Sequence, residues 1–191
     1  MDCDFFAFSG HKMYGPFGIG VLWGRQEWLT QMEPLIFGGE MISRVDERSA
    51  QWAEVPTRFE GGTPNAAGAV GLAAAIEWLR GLPAAAHAHV NQLAREAAEQ
   101  LAALPGVQVW GPREGRVALV SFSVDRVHAH DVAQVLDDRG VAVRAGHLCA
   151  QPLLRRLGTP SVVRASFAPY NTRDEVARLV AGVRAAQELF T

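Results

Sequence analysis

Lys12 is the only lysine in a chain of 191 residues that also holds 17 arginines. It lies in the stretch AFSGHKMYG, residues 7–15. Arginine serves as well as lysine for most surface charges, so the one place where lysine persists calls for something a guanidinium cannot do. That function is imine formation with an aldehyde, which needs an amine able to lose its proton. A lysine on a turn is most often a solvated charge. Here its neighbours argue otherwise: Ser9 and His11 flank it, and Gly10, Gly15, Gly18 and Gly20 line the turn. Such a turn lets backbone N–H groups and short side chains approach a phosphate, and an amine beside a phosphate cradle points to pyridoxal phosphate. The competing phosphate loop, G-x-x-x-x-G-K-[ST], fails because Met13 follows the lysine.

Cys149 is the second residue able to carry chemistry. A cysteine between Leu148 and Ala150 often serves as a small buried hydrophobe. This one follows Gly146 and His147 in a loop that runs to Pro152, and loops on a rigid scaffold carry function. A thiol of ordinary pKa, about 8.5, gains thiolate character beside an imidazole or a cation. Other candidates weigh less. His128 and His130 in HAHD have no third ligand at metal-binding spacing, and Asp131 reads as the helix start beside them. His87 and His89 are expected on a helix in solvent, and Cys3 in a buried strand.

The elements that must position these residues follow from pattern. DFFAF and GIGVLWGR read as two short strands around the lysine turn, and residues 28–60 show little helical period. Thr63 in GGTPN is a plausible N-cap with Pro64 at the first helical position. Helices are expected from about Pro64 to Leu79 and from about Ala85 to Leu104. Beyond them come strands VQVWG and RVALVSFSV, helix HDVAQVLDDRG, strand VAVRAG, a loop with a short helix, strand SVVRASF and a final helix TRDEVARLVAGVRAAQELF. Strands interspersed with helices that cover one face predict a small α+β sandwich. The two opening strands are nearly all apolar, as in strands covered on both faces of a larger sheet, and the opening piece is too small and glycine-rich to bury a core of its own.

Composition narrows the classes. The chain is 49% hydrophobic and 20% charged with a net charge of -2, an ordinary globular balance. No basic block suggests nucleic acid or a membrane surface. Two cysteines far apart match no zinc or disulfide framework, acids stand where a signal peptide would carry bases, and no apolar run approaches 18 residues. These features predict a cytoplasmic protein.

Four segments, DCDFFAFSGHKMYGPFGIGVLWGR, RFEGGTPNAAGAVGLAAA, VRAGHLCAQPLL and VRASFAPYNTRDEVARLV, together resemble the C-terminal half of a group II (SUF-type) cysteine desulfurase of the class V aminotransferase family. The resemblance runs over essentially the whole chain, in order. It implies an α/β fold, the C-terminal part of the PLP-dependent transferase fold type I. Residues 1–65 would be a remnant of the large-domain sheet, 66–104 connector helices, and 105–191 a small α+β C-terminal domain. It further implies that Lys12 carries pyridoxal 5'-phosphate, that Ser9 and His11 bind its phosphate, and that Thr63 reaches the phosphate of the partner subunit's cofactor in a homodimer. Cys149 would take sulfur from L-cysteine as a persulfide, leaving L-alanine, and pass it to a sulfur-acceptor protein of the SUF system for iron–sulfur cluster assembly. Arg164 would pair with the substrate carboxylate, which suits a guanidinium fork, and Arg144 would stand near the cysteine. The commoner motif has two histidines before the cysteine. Here His147 remains and Leu148 takes the second place. A selenocysteine lyase and a non-catalytic dimerising remnant are the alternatives. Eleven residues precede Lys12, whereas the family's ring-stacking residue and the acid on its pyridine nitrogen lie upstream, so the chain by itself is expected to be inactive.

Overall fold

The computed structural model describes residues 2–190; Met1 and Thr191, the outer limits of the first and last expected segments, lie outside them. The chain forms two compact units, Met1–Leu82 and Pro83–Thr191, the boundary falling between its two expected connector helices.

In the first unit, β1 (Phe5–Ser9) runs into a 3-10 turn (Gly10–Lys12) and returns as β2 (Gly20–Gly24). The pair is antiparallel, with Phe6 opposite Trp23 and Ser9 opposite Gly20. Both faces of this hairpin carry exposed apolar side chains, among them Phe6 at 41%, Leu22 at 57% and Trp23 at 48%. The expected cover on both faces is therefore not supplied by any described residue of this unit. The stretch that shows little helical period holds a short helix α1 (Gln26–Gln31) and an antiparallel pair, β3 (Ile42–Val45) and β4 (Ala50–Trp52). Both elements are too short to build up a period, and β3 pairs across an irregularity between Ile42 and Arg44. Helix α2 (Ala66–Gly81) closes the unit, burying Gly68, Leu72 and Ala75 along one stripe.

Thr63 is not the cap of α2. That place belongs to Asn65, whose side chain accepts from the Gly68 N–H. The Ala69 N–H donates to the Asn65 carbonyl at 2.9 Å, so the helix opens at Asn65, two residues beyond Thr63, and asparagine is as good a cap as serine or threonine.

The second unit packs α3 (Ala84–Ala102), α4 (Ala129–Asp137) and α6 (Arg173–Phe190) against a four-stranded antiparallel sheet of β5 (Val107–Trp110), β6 (Leu119–Val124), β7 (Arg144–Gly146) and β8 (Val162–Ser166) in the order β5-β6-β8-β7. A short helix, α5 (Gln151–Leu157), links β7 to β8. Alternation sorts the sheet. Val120, Phe122 and Val124 are buried while Leu119, Ser121 and Ser123 between them are half-buried, as period 2 requires. The buried set meets Leu93, Ala97 and Leu101 of α3, Val132, Val135 and Leu136 of α4, and Val176, Leu179 and Val183 of α6 in one core. Each of these helices presents the 3–4 residue spacing of an apolar stripe. No described helix is long and apolar enough to cross a membrane.

Two histidine readings change. His128, not Asp131, caps α4, its Nδ1 accepting from the His130 N–H at 3.3 Å. His89 is half-buried and donates from Nε2 to the Asn171 carbonyl at 2.8 Å, tying α3 to the turn before α6. Cys3 is half-buried and lies before β1 rather than in it.

At the start of α6, Glu175 Oε2 accepts from the Thr172 N–H at 2.7 Å, from Asn171 Nδ2 at 3.2 Å and from the Thr172 hydroxyl at 3.3 Å. This is the glutamate half of a capping box, the Glu175 N–H donating to the Thr172 carbonyl and not to its hydroxyl. The backbone donor above all, then Asn171, Thr172 Oγ1 and Arg178, hold the Glu175 carboxyl below its usual range against the opposing effect of burial. A carboxylate depressed in the folded state stabilises fully above its unfolded pKa and loses that contribution as pH falls through the folded value. Glu175→Ala is therefore expected to lower the melting temperature at neutral pH, by a margin that closes as pH drops below about 4.5. Thermal unfolding of both proteins across the acid range checks this, and an unchanging margin would contradict it.

Candidate active site

The lysine turn is closed by its own backbone. Gly10 N–H donates to the Ile19 carbonyl at 2.8 Å, and the Gly10 carbonyl accepts from Met13 at 3.0 Å and Gly15 at 2.9 Å. The segment crosses itself so tightly that a Cβ on Gly10 would stand 3.0 Å from Ile19 Cγ2, and one on Gly15 would stand 2.9 Å from the Gly10 carbonyl oxygen. Glycine is thus required at residue 15 by close approach to backbone, while a side chain at residue 10 would be tight. Lys12 and His11 are exposed on this turn, and Ser9 is half-buried at its start with a hydroxyl that makes no capping bond. His11 stacks on Phe17, ring centroids 5.1 Å apart and planes at 19°. No described carboxylate pairs with Lys12.

Helix α2 carries the turn. A Cβ on Gly15 would also sit 3.2 Å from Leu72 Cδ1, and one on Gly71 would sit 3.0 Å from Pro16 Cγ. Tyr14 meets Trp78 edge to face at 4.9 Å. Asn65 Nδ2 donates to the Gly18 carbonyl at 3.1 Å. Thr63 is exposed, two residues ahead of that asparagine.

In the second unit the sheet register makes a row. Trp110 lies opposite Ser121, Ser121 opposite Arg164, and Arg164 opposite Arg144. Directly opposed residues share a face, and here it is the face away from α3, α4 and α6, because Phe122 and Val163 occupy the other. Two arginines are thereby set at opposed positions of neighbouring strands, and no described carboxylate forms an ion pair with either. Arg164 Nε is buried without a hydrogen-bond partner. Opposed like charges repel, and an anion between them relieves that repulsion through charge-assisted, bidentate bonds.

Beyond Arg144 the chain turns through Gly146 at φ +113° and reaches Leu148 at +53° and Cys149 at +61°. Two successive side-chain-bearing residues in the left-handed region cost about 1–3 kcal/mol each. The turn exposes the Cys149 thiol, toward which Arg144 Nη2 is directed at 3.9 Å. Gln151 Nε2 donates to His147 Nδ1 at 3.1 Å, leaving the proton of the neutral ring on Nε2. Arg144, His147, Leu148 and Cys149 line an open groove of about 450 Å³ together with His128 and His130. Leu148 also borders an apolar hollow of about 430 Å³ among Trp110, Leu119, Leu153 and Leu157. An apolar side chain at residue 148 suits that second surface, where a histidine would be poorly hydrated.

Ser9, His11 and Lys12 thus share one turn in the first unit, while Arg144 and Arg164 lie on the paired strands β7 and β8 of the second, with His147 and Cys149 in the loop that follows β7. Sequence reasoning passes over Asn65, although an asparagine three residues before a glycine at the head of an Ala-rich run is an N-cap signature. It also passes over the left-handed pair at residues 148 and 149, for which no composition signal exists.

The sequence matches the family described as aminotransferase class-V over residues 1–179. The chain belongs to the class-V aminotransferase family. Within that family it is 50% identical over 191 residues to a probable cysteine desulfurase of Halalkalibacterium halodurans, all of this chain aligning with 47% of the relative. Among solved structures, the cysteine desulfurase CsdA (S-sulfonic acid) from Escherichia coli superposes with a TM-score of 0.94 at 43% identity, over 100% of this chain and 47% of that one. A variant of C-DES with glycine covalently linked to its PLP cofactor gives 0.76 at 27% identity, over 97% and 46%. The class-V chain spans about half the length of the curated relatives it matches. Its fold is accordingly a part of the α/β fold that these enzymes share.

Pyridoxal phosphate asks two things of the first unit: an amine for its aldehyde and donors for its phosphate. The turn offers both. Lys12 stands exposed and pairs with no described carboxylate, with His11 and Ser9 adjacent, on a backbone crossing where a Cβ at Gly10 would be tight. These residues fit the group.

Proposed function

We propose that this chain carries the lysine and cysteine clusters of a pyridoxal phosphate-dependent cysteine desulfurase of the group II (SUF) type, converting L-cysteine to L-alanine and moving its sulfur onto Cys149. The observation that carries the reading is the exposed thiol of Cys149, held in a strained turn with a guanidinium aimed at its sulfur and an unneutralised arginine pair beside it.

Pyridoxal phosphate, when bound, supplies an aldehyde and a conjugated ring that draws electrons from the substrate's α-carbon. Everything else falls to side chains. Lys12 Nζ holds the cofactor at rest and afterwards moves a proton at the α-carbon, which an amine can do and a guanidinium cannot. Ser9 and His11 bind the phosphate, and Thr63 serves the phosphate of the partner subunit's cofactor in a homodimer. Arg164 binds the α-carboxylate as a planar fork. Cys149 Sγ, as thiolate, attacks the substrate sulfur. A new S–S bond replaces the substrate's S–C bond, whose electron pair stays on the carbon skeleton that leaves, once protonated, as L-alanine. Arg144 neutralises the sulfur before the attack, and His147, with its proton on Nε2, is the proton carrier in the groove. The persulfide then passes to a thiol of an acceptor protein. In this assignment residues 1–65 are the end of the cofactor-binding large domain, 66–104 the connector and 105–191 the small domain.

Borohydride reduction after incubation with pyridoxal phosphate, followed by peptide mass mapping, tests the central role. The pyridoxyl group is expected on Lys12, the one lysine in the chain. Modification confined to the terminal amine would sink the reading.

A further inference from the structure

We propose that Asn65 is a positioning residue for Lys12, pinning the lysine turn to the first turn of α2. This rests on the reading of Lys12 given above. One amide side chain serves two backbones at once: its Oδ1 accepts from the Gly68 N–H at 2.9 Å, and its Nδ2 donates to the Gly18 carbonyl at 3.1 Å. Among the favoured cap residues only asparagine has an acceptor and a donor on one rigid plane, so neither aspartate nor serine performs both tasks. From Gly18 the restraint passes to the lysine turn through Ile19 and Gly10. Gly18 precedes Ile19, whose carbonyl accepts from Gly10, and Gly10 in turn closes the turn that carries the lysine. Gly18 itself has φ +76°, a conformation rare for residues with side chains, so its carbonyl direction is set by a special backbone state that the Asn65 bond holds. Space for the pin is kept by Gly68, where a Cβ would lie 2.5 Å from Asn65 Nδ2.

The two tasks separate by substitution. Asn65→Asp keeps the helix cap, since aspartate caps as well as asparagine, but replaces the donor to Gly18 with an oxygen that repels it. Gly68→Ala keeps Asn65 and improves helix propensity while displacing the side chain. Both variants are expected to accelerate amide exchange at Gly10 and Gly15 by tenfold or more, to leave exchange in α3 and α6 unchanged, and to weaken borohydride-trapped pyridoxal phosphate on Lys12 by at least tenfold. A purely structural role predicts the reverse for Gly68→Ala, a more protected segment. Exchange at Gly10 and Gly15 that matches the unsubstituted protein in Asn65→Asp overturns the proposal. Failure of the unsubstituted protein to trap the cofactor on Lys12 would overturn the functional reading instead, and the exchange contrast would still decide the pin.

Discussion

In an enzyme completed with the family's N-terminal half, Cys149→Ala is expected to lose alanine and persulfide formation from L-cysteine by a factor of at least about a thousand, while pyridoxal phosphate trapping on Lys12 stays as it was. The separation follows from what the thiol touches. Cys149 is exposed, and the contact found for its sulfur is the long donation from Arg144. Its removal leaves no cavity and no buried group without a partner, so stability should hold. The backbone at φ +61° is as unfavourable for alanine as for cysteine, so the loop is not relaxed by the change. What disappears is the only described sulfur placed to receive sulfur in that groove. Cys149→Ser tests the same point with a near isostere, since a hydroxyl forms no stable analogue of the persulfide. Sulfide and alanine assays with L-cysteine give the measurement. Alanine output retained in Cys149→Ala would show that sulfur leaves by a route that does not involve this residue.

In the same completed enzyme, Arg164→Ala should raise the apparent KM for L-cysteine tenfold to a hundredfold with a smaller change in kcat. A charge-assisted hydrogen bond contributes about 1.5–3 kcal/mol, and about 1.4 kcal/mol corresponds to a factor of ten. Arg164 and Arg144 are neighbours across β8 and β7, yet their tasks differ. Arg164 Nε is buried and without a partner, so its guanidinium has hydrogen-bonding capacity left for a carboxylate, and its loss removes that fork. Arg144 is exposed and directed at sulfur, so its replacement should act on kcat through the transfer step. Arg164→Lys should recover charge but not the two parallel bonds, leaving an intermediate KM. Equal effects of the two arginine variants on KM would contradict this division of labour.

Lys12 and Cys149 are legible in the sequence for different reasons. Lys12 stands out by count, because a residue type used once in a chain rich in its substitute has been kept for something the substitute cannot do. Cys149 stands out by setting, a thiol between glycine-bearing and proline-bearing loop segments. The two arginines gain meaning only through register. Nothing in VRAGHLC or SVVRASF says that Arg144 and Arg164 fall opposite one another; that depends on β8 lying between β6 and β7, a long-range pairing that local pattern does not encode. The long helices and the strands of the second unit are readable because each carries a clean period. Helix α1 and the β3–β4 pair are not, since six, four and three residues are too few to distinguish a period from chance. The misplaced caps have a common cause. At both Thr63/Asn65 and His128/Asp131 more than one acceptor side chain lies within a few residues of the helix start, and geometry, not residue type, chooses between them.

The left-handed turn at Leu148 and Cys149 sets the two selective demands on this loop against each other. Backbone conformation favours glycine or asparagine at both places, and a drift in that direction would make the folded chain more stable. Chemistry permits neither at residue 149, and the apolar hollow beside residue 148 disfavours a polar replacement there. Natural variation at these two sites should accordingly be narrow at 149 and weighted toward apolar or ring-bearing side chains at 148, despite the strain. The loop is a place where the most stable sequence and the most active one differ, so directed evolution for thermal stability alone would be expected to erode the thiol before it touched the core.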